Sequence, residues 1–195
     1  MIIAVGAHSR NVGKTSIICS ILNGTPDAPW VAVKISANRR GVGGGFETFE
    51  ERKPGADTDS ARYLAAGAAR AYWLRADDRQ MDQAAWFVRR LASSGVHVIV
   101  ESNRIVEQLS PDLYLLALDF AVADFKDTAR RLFHRADAYA VSNMARATPA
   151  WDNIPIQGLD RRPIYQLTPP DYRPRGLIRD VRSLLGLSVD RAEVA

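Results

Sequence analysis

The sequence has 195 residues, of which 47% are hydrophobic and 25% charged, with one cysteine and a formal net charge of +4. That balance excludes a disordered, fibrous or disulfide-framed chain and fits a globular α/β domain. No run approaches the ~20 apolar residues of a membrane-spanning helix, and Met1 leads directly into Ile2-Ile3-Ala4-Val5 without a basic segment, so neither a span nor a signal peptide is expected.

Short apolar runs alternate with helical patterns along the chain. Residues 2–5 read as a strand and 14–22 as a helix with Ile17, Ile18, Ile21 and Leu22 on one face. A second strand is predicted over 30–35. Residues 36–58 form a long irregular segment holding Gly41, Gly43, Gly44 and Gly45, the composition of a mobile loop or lid. Helix 59–66, strand 70–74, helix 81–93 and strands 96–100 and 113–118 follow. Helix 124–135, strand 138–142, an irregular stretch over 144–155, strand 163–167 and helix 176–185 complete the pattern. The strands are apolar nearly throughout, as in a parallel sheet buried on both faces. The expected fold is therefore three-layer α/β: a mostly parallel central sheet with helices on both sides. Residues 1–187 are expected to form one domain and 188–195 a frayed tail.

The chemistry begins where the first strand ends. Gly6-Ala7-His8-Ser9-Arg10-Asn11-Val12 leads into Gly13-Lys14-Thr15-Ser16 and an apolar helix. Strand, loop and helix in that order make a P-loop. Backbone N–H groups of Ser9 to Ser16 would face phosphate, the helix dipole favours anions, Lys14 adds a positive charge at the β and γ phosphates, and the Thr15 hydroxyl suits Mg²⁺. The usual spacing puts a first glycine where His8 stands; the nearest is Gly6. Asn11, which tolerates a left-handed backbone, can supply part of what glycine normally does. Arg10 divides evenly between a phosphate or trans-acting role and plain solvent exposure.

Further candidates sit at predicted strand ends. Glu101 closes His97-Val98-Ile99-Val100 and is expected to bind Mg²⁺ or orient attacking water, the alternative being a cap. Lys34, within an apolar strand, is costly unless it meets an anion, so a phosphate or substrate role is expected. Asp57 divides evenly between metal and capping roles, whereas Asp59 is read as a helix-capping acid. Asn143 ends a strand where an amide can read a purine base, with Asp119 similarly placed; the guanine-reading Asn-Lys-x-Asp is missing. Arginine pairs such as Arg89-Arg90 are scattered without interleaved aromatics, which argues against nucleic acid.

Four segments together resemble the MobB-type P-loop proteins linked to molybdopterin-guanine dinucleotide biosynthesis. They are Ser9 and Asn11 ahead of Gly13-Lys14-Thr15; Val33-Lys34; Asp57-Thr58-Asp59-Ser60-Ala61-Arg62 with Ala65-Ala66-Gly67-Ala68; and Val98-Ile99-Val100-Glu101. The likeness covers the first half of the chain best. Ser102-Asn103 stands where that family carries a glycine, and Ser36 to Arg40 replaces its histidine-containing basic stretch. The resemblance implies GTP binding, slow Mg²⁺-dependent hydrolysis, a cytoplasmic homodimer and a cofactor-biosynthesis partner. ATP is the other candidate nucleotide. A small-molecule kinase or ATP-dependent ligase is the alternative function, and a non-catalytic nucleotide-binding module the second alternative.

Overall fold

The strands assemble into one eight-stranded sheet in the order β3-β4-β2-β5-β1-β6-β7-β8. They are β1 (Ile2–Ala7), β2 (Trp30–Ser36), β3 (Glu47–Glu51), β4 (Arg70–Arg75), β5 (His97–Glu101), β6 (Leu113–Asp119), β7 (Ala138–Ser142) and β8 (Ile164–Leu167). The computed structural model describes residues 1–37, 45–146, 148–152, 154, 159–168, 172 and 174–189. Every pairing is parallel except β3 with β4, which is antiparallel.

Alternate strand residues feed two cores. Val31, Val33 and Ile35 face one side with Val98 and Val100, where they meet Met81, Ala84 and Val88 of α3 (Met81–Ala92) and Leu132 of α4 (Asp127–Leu132). Ile3, Val5, Ala32 and Ile99 face the other, against Ile17, Ile18 and Ile21 of α1 (Lys14–Gly24), Tyr63 of α2 (Asp59–Ala65) and Leu177 and Val181 of α5 (Arg175–Leu184). Burial on both faces explains why these strands lack polar alternation. The three-layer α/β architecture expected from the sequence is thus present.

The main difference lies in the predicted irregular segment. Residues 47–51 form β3, an edge strand whose Thr48, Phe49 and Glu50 are exposed. Its glutamates break the apolar signature, because neither face of this edge strand is buried. Gly41, Gly43 and Gly44 lie outside the described residues. The helix expected from residue 124 starts at Asp127 instead: the Lys126 N–H donates to the His8 carbonyl at 2.8 Å, which ties that segment to the loop after β1. In the second irregular stretch, Trp151 is buried against Phe120 and Phe125 and acts as core. Of the expected tail, residues 190–195 lie outside the described residues.

Candidate functional site

The loop after β1 is atypical for packing reasons. A Cβ on Gly6 would lie 2.5 Å from Asn103 Oδ1 and 2.8 Å from the Tyr114 hydroxyl. Asn103 bridges the backbone there, accepting from the Ala7 N–H at 2.6 Å and donating to its carbonyl at 2.8 Å. Glycine is required at position 6 by this close approach, rather than at position 8. His8 is fully buried, its ring 5.0 Å from Phe125 and 4.9 Å from Trp151, and its Nε2 accepts from the Asp119 N–H at 3.0 Å. It is a core residue that anchors the loop.

Burial lowers the His8 pKa to about 4, against the opposing pull of the Asp124 backbone and of Asp119 and Asp124. As pH falls below the ordinary histidine value of about 6.5, the unfolded chain takes up a proton that the native chain refuses, and stability is lost until about pH 4. Urea denaturation at pH 7.5 and pH 5 should therefore show a histidine-dependent loss of about 2 kcal/mol. In His8→Phe that part of the pH dependence should vanish; an unchanged profile would refute the assignment.

Beyond His8 the chain turns through two left-handed residues, Asn11 at φ 57° and Gly13 at φ 92°. Asn11 does supply the conformation expected of it. Gly13 precedes α1 with no side-chain cap, and the first turn carries no acid. The leading N–H groups of α1 lack intrahelical acceptors and are aimed outward, a geometry that suits an anion. A Cβ on Gly13 would also sit 2.7 Å from the Tyr172 ring, which packs over the loop. Tyr172 is anchored there by its carbonyl, which accepts from Ser20 Oγ at 2.8 Å.

Five side chains converge on the end of β5. Glu101 is 2% exposed and lies 3.1 Å from the Thr15 hydroxyl. Tyr63 donates its buried hydroxyl to the same carboxylate, and Lys34 pairs closely with its other oxygen. Lys14 stands 3.7 Å away. Asp59 completes the group, 2.9 Å from the Thr15 hydroxyl and 2.8 Å from Lys34 Nζ. The single Thr15 proton serves one carboxylate at a time. Adjacent strand ends explain the convergence, because Lys34 and Glu101 are direct register partners on β2 and β5.

The charges respond to this crowding. Burial opposes the Lys34 charge, but Glu101 and Asp59 more than offset it and hold its pKa above the usual lysine value. Asp59 is likewise opposed by burial, yet Lys34 holds its pKa below the usual carboxylate value. Lys14 is lowered, by burial first, with Glu101 opposing and Lys34 adding repulsion. Burial also raises the Tyr63 pKa, reinforced by Glu101, which keeps its hydroxyl a donor.

The other expected residues fall in several places. Ser9 is buried and donates to Asp124 at 2.6 Å, while Arg10 is exposed at the mouth of the site. Val12 is buried, and Ser16 lines a cavity of about 370 Å³ with Lys14, Thr15 and Asp59. Asn143 lies two strands away from β1, with its amide donating to Asp119 at 2.7 Å. Asp57 is exposed and lines neither this cavity nor its larger neighbour. The cap of α2 is Thr58, whose hydroxyl accepts from the Ala61 N–H at 3.0 Å. Asp59, read from sequence as the capping acid, is the carboxylate that reaches Thr15. Lys126, Tyr63 and Tyr172 were not anticipated; each is brought in by contacts remote in sequence. Lys126 forms no ion pair among the described residues, and burial together with Lys14 and Arg10 lowers its pKa.

Donors and acceptors are both suited to a magnesium–nucleotide complex. The uncapped α1 terminus and Lys14 match phosphate, and Thr15, Glu101 and Asp59 present hard oxygens to a divalent cation.

The strand order, the helix-opening Gly13-Lys14-Thr15 loop and the two covering layers define the P-loop NTPase fold class. No protein-family model matches the sequence, and no curated protein matches it. Several solved structures are similar, three of them as follows. LpxK from Aquifex aeolicus, solved in complex with ATP, has a TM-score of 0.51 and 17% identity, covering 97% of this chain and 69% of that one. HypB from Helicobacter pylori, solved with nickel, gives 0.53 and 14%, over 94% and 84% of the two chains. The MinC:MinD cell division complex of Aquifex aeolicus gives 0.54 and 16%, over 97% of each. At these identities the likeness is one of fold. No helix among the described residues is long and apolar enough to cross a membrane.

Proposed function

We propose that this chain binds a nucleoside triphosphate with Mg²⁺ and hydrolyses it slowly. The observation that carries this reading is the Thr15 hydroxyl, set between two carboxylates at the uncapped start of α1 beside Lys14. Loop residues Ser9 to Ser16 would surround the phosphates, with Arg10 at the rim and Lys14 and Lys34 neutralising charge. Thr15 and Glu101 would hold Mg²⁺, with Asp59 assigned the second carboxylate position in preference to Asp57. The bound cation would supply charge neutralisation at the phosphate oxygens. Glu101 supports slow turnover: Tyr63, Thr15 and Lys34 donate to its oxygens, which makes it a weak base toward water while its negative charge stays beside the cation position.

The resemblance to MobB-type proteins supports GTP over ATP, a cytoplasmic homodimer and an accessory role in molybdenum-cofactor or related cofactor assembly. Asn143, with Asp119, is assigned to the base. The whole of 1–187 would act as one domain.

A thermal-shift series with ATP, GTP, ADP and GDP, each with Mg²⁺ or with EDTA, tests the reading. A native-state ligand at a hundred times its Kd adds about 2.7 kcal/mol, which raises Tm by roughly 5–10 °C for a chain of this size. The rise should be largest for a triphosphate and should shrink with EDTA. No shift with any of the four would end the proposal.

A further inference from the structure

A second, larger cavity of about 980 Å³ adjoins the phosphate site on the side of β2, β4 and β3. Strand register builds its floor. Phe49 of β3 is paired with Trp73 of β4, Trp73 with Lys34 of β2, and Lys34 with Glu101 of β5. Register partners project to the same face, so these four side chains form one row across the sheet. At the usual spacing of about 4.8 Å between strands, Trp73 lies roughly 10 Å from Glu101.

The outer half of the row is aromatic and open. Phe49 and Trp73 are 41% and 36% exposed, with ring centroids 5.4 Å apart. The Arg75 guanidinium lies 4.8 Å from the Phe49 ring centroid and 4.5 Å from that of Trp73. Trp73 is fixed by its indole N–H, which donates to Ser36 at 2.7 Å. Isolated aromatics on an edge strand need no ligand to explain them. These line a cavity that cations line as well: Lys126, and Arg104 held by Asp78 and the Ala76 carbonyl. Of the four acids on the same cavity, Glu50 pairs with Arg70, Asp59 and Glu101 pair with Lys34, and Glu51 accepts from Thr58 and Ser60. Asp119 and Asn143 stand across β1 from this cavity, so the base assigned to them leaves it vacant for another molecule.

We propose that this cavity binds a second small molecule, a ring-bearing carboxylate or phosphate. Its ring stacks on Trp73 and Phe49, and its anion lies toward Lys34 and Lys126 at the mouth of the phosphate site. Stacking and cation contacts each favour such a ligand.

The role of this ligand as a phosphoryl acceptor rests on the nucleotide reading above. A carboxylate oxygen is already ionised at neutral pH. Its attack on the γ-phosphorus forms an O–P bond, the bond to the β,γ-bridging oxygen breaks, and the nucleoside diphosphate leaves with the electron pair. No proton changes hands, so no free base is needed. This matches a Glu101 whose oxygens are already taken by Tyr63, Thr15 and Lys34.

Ligand-observed NMR titration of the full chain with phenyl phosphate and n-butyl phosphate, and with benzoate and butyrate, tests the site. The aryl anions are expected to bind at least fivefold more tightly than the alkyl anions of the same charge. Trp73→Ala and, separately, Phe49→Ala should each erase that preference, with circular dichroism reporting that the variants remain folded. Trp86→Ala, which removes an exposed aromatic of α3 that lines neither cavity, should keep it. Equal binding of aryl and alkyl anions, no binding of either, or a preference that survives both aromatic substitutions would overturn the proposal. If the preference is present and nucleotide fails to bind in the thermal-shift series, the site stands and the nucleotide reading falls. The reverse pattern separates the two in the other direction.

Discussion

Lys14→Ala is expected to remove nucleotide binding while leaving the protein without ligand at least as stable as before. The ammonium has no strong partner of its own among the described residues. Glu101 is 3.7 Å away, beyond hydrogen-bond distance, and Lys34 already occupies that carboxylate. Burial and repulsion from Lys34 hold the Lys14 pKa down, so its charge is carried at a cost in the native state. Bound phosphates would reverse that cost. Two charge-assisted hydrogen bonds to phosphate, at roughly 1.5–3 kcal/mol each, correspond to a loss of about 10²- to 10⁴-fold in affinity when the side chain is removed. Calorimetric titration with MgATP and MgGTP, paired with urea denaturation, reads both quantities. An affinity within threefold of the parent would remove Lys14 from the phosphate site.

The second large effect is expected at Glu101, and it is first an effect on stability. Glu101→Gln keeps the shape and can still accept from Tyr63, but it withdraws the negative charge that Lys34 and Lys14 share. Leaving a half-buried ammonium with one partner fewer costs about 2 kcal/mol; partial exposure and Asp59 keep the figure below the range for broken, fully buried pairs. Lys34→Met in the same chain should recover more than half of that loss. The coupling energy of the double-mutant cycle measures the pair itself. Hydrolysis should fall in Glu101→Gln even where nucleotide still binds. A stability change under 1 kcal/mol, or a double variant no better than the single one, would mean that solvent already screens this pair.

Much of the site could be read from the chain because its residues lie at strand ends. Gly13-Lys14-Thr15 follows an apolar run and opens an amphipathic helix, and Glu101 closes another apolar run. Lys34 stood out because a lysine among Val31, Val33 and Ile35 has to meet an anion; phosphate or substrate was expected, and the anions it meets are Glu101 and Asp59. Contacts remote in sequence could not be read in this way. Nothing local tells that Asn103 presses on Gly6, or that His8 fills a pocket of Phe125 and Trp151. Asp57 and Asp59 lie within one turn of each other and have the same chemistry. Only the capping of α2 by Thr58 frees Asp59 to face Thr15. Lys126 lies in the segment read as the first turn of helix 124–135 and Tyr172 between the predicted strand 163–167 and helix 176–185; bonds to His8 and Ser20, remote in sequence, set their positions. For the fold, β3 was hidden for a different reason. Its glutamates at 47, 50 and 51 erase the apolar signal that marks the interior strands.

Those glutamates also bear on how copies of the chain can meet. A two-fold antiparallel pairing of two β3 strands centred on Phe49 would set Glu47 against Glu51 and Thr48 against Glu50. Like charges placed directly opposite are destabilising, and the first of these pairs would occur twice. That pairing is thus disfavoured by the strand's own charge, one of the ways in which exposed edges are protected. A homodimer of this chain would form more readily through a face other than this edge.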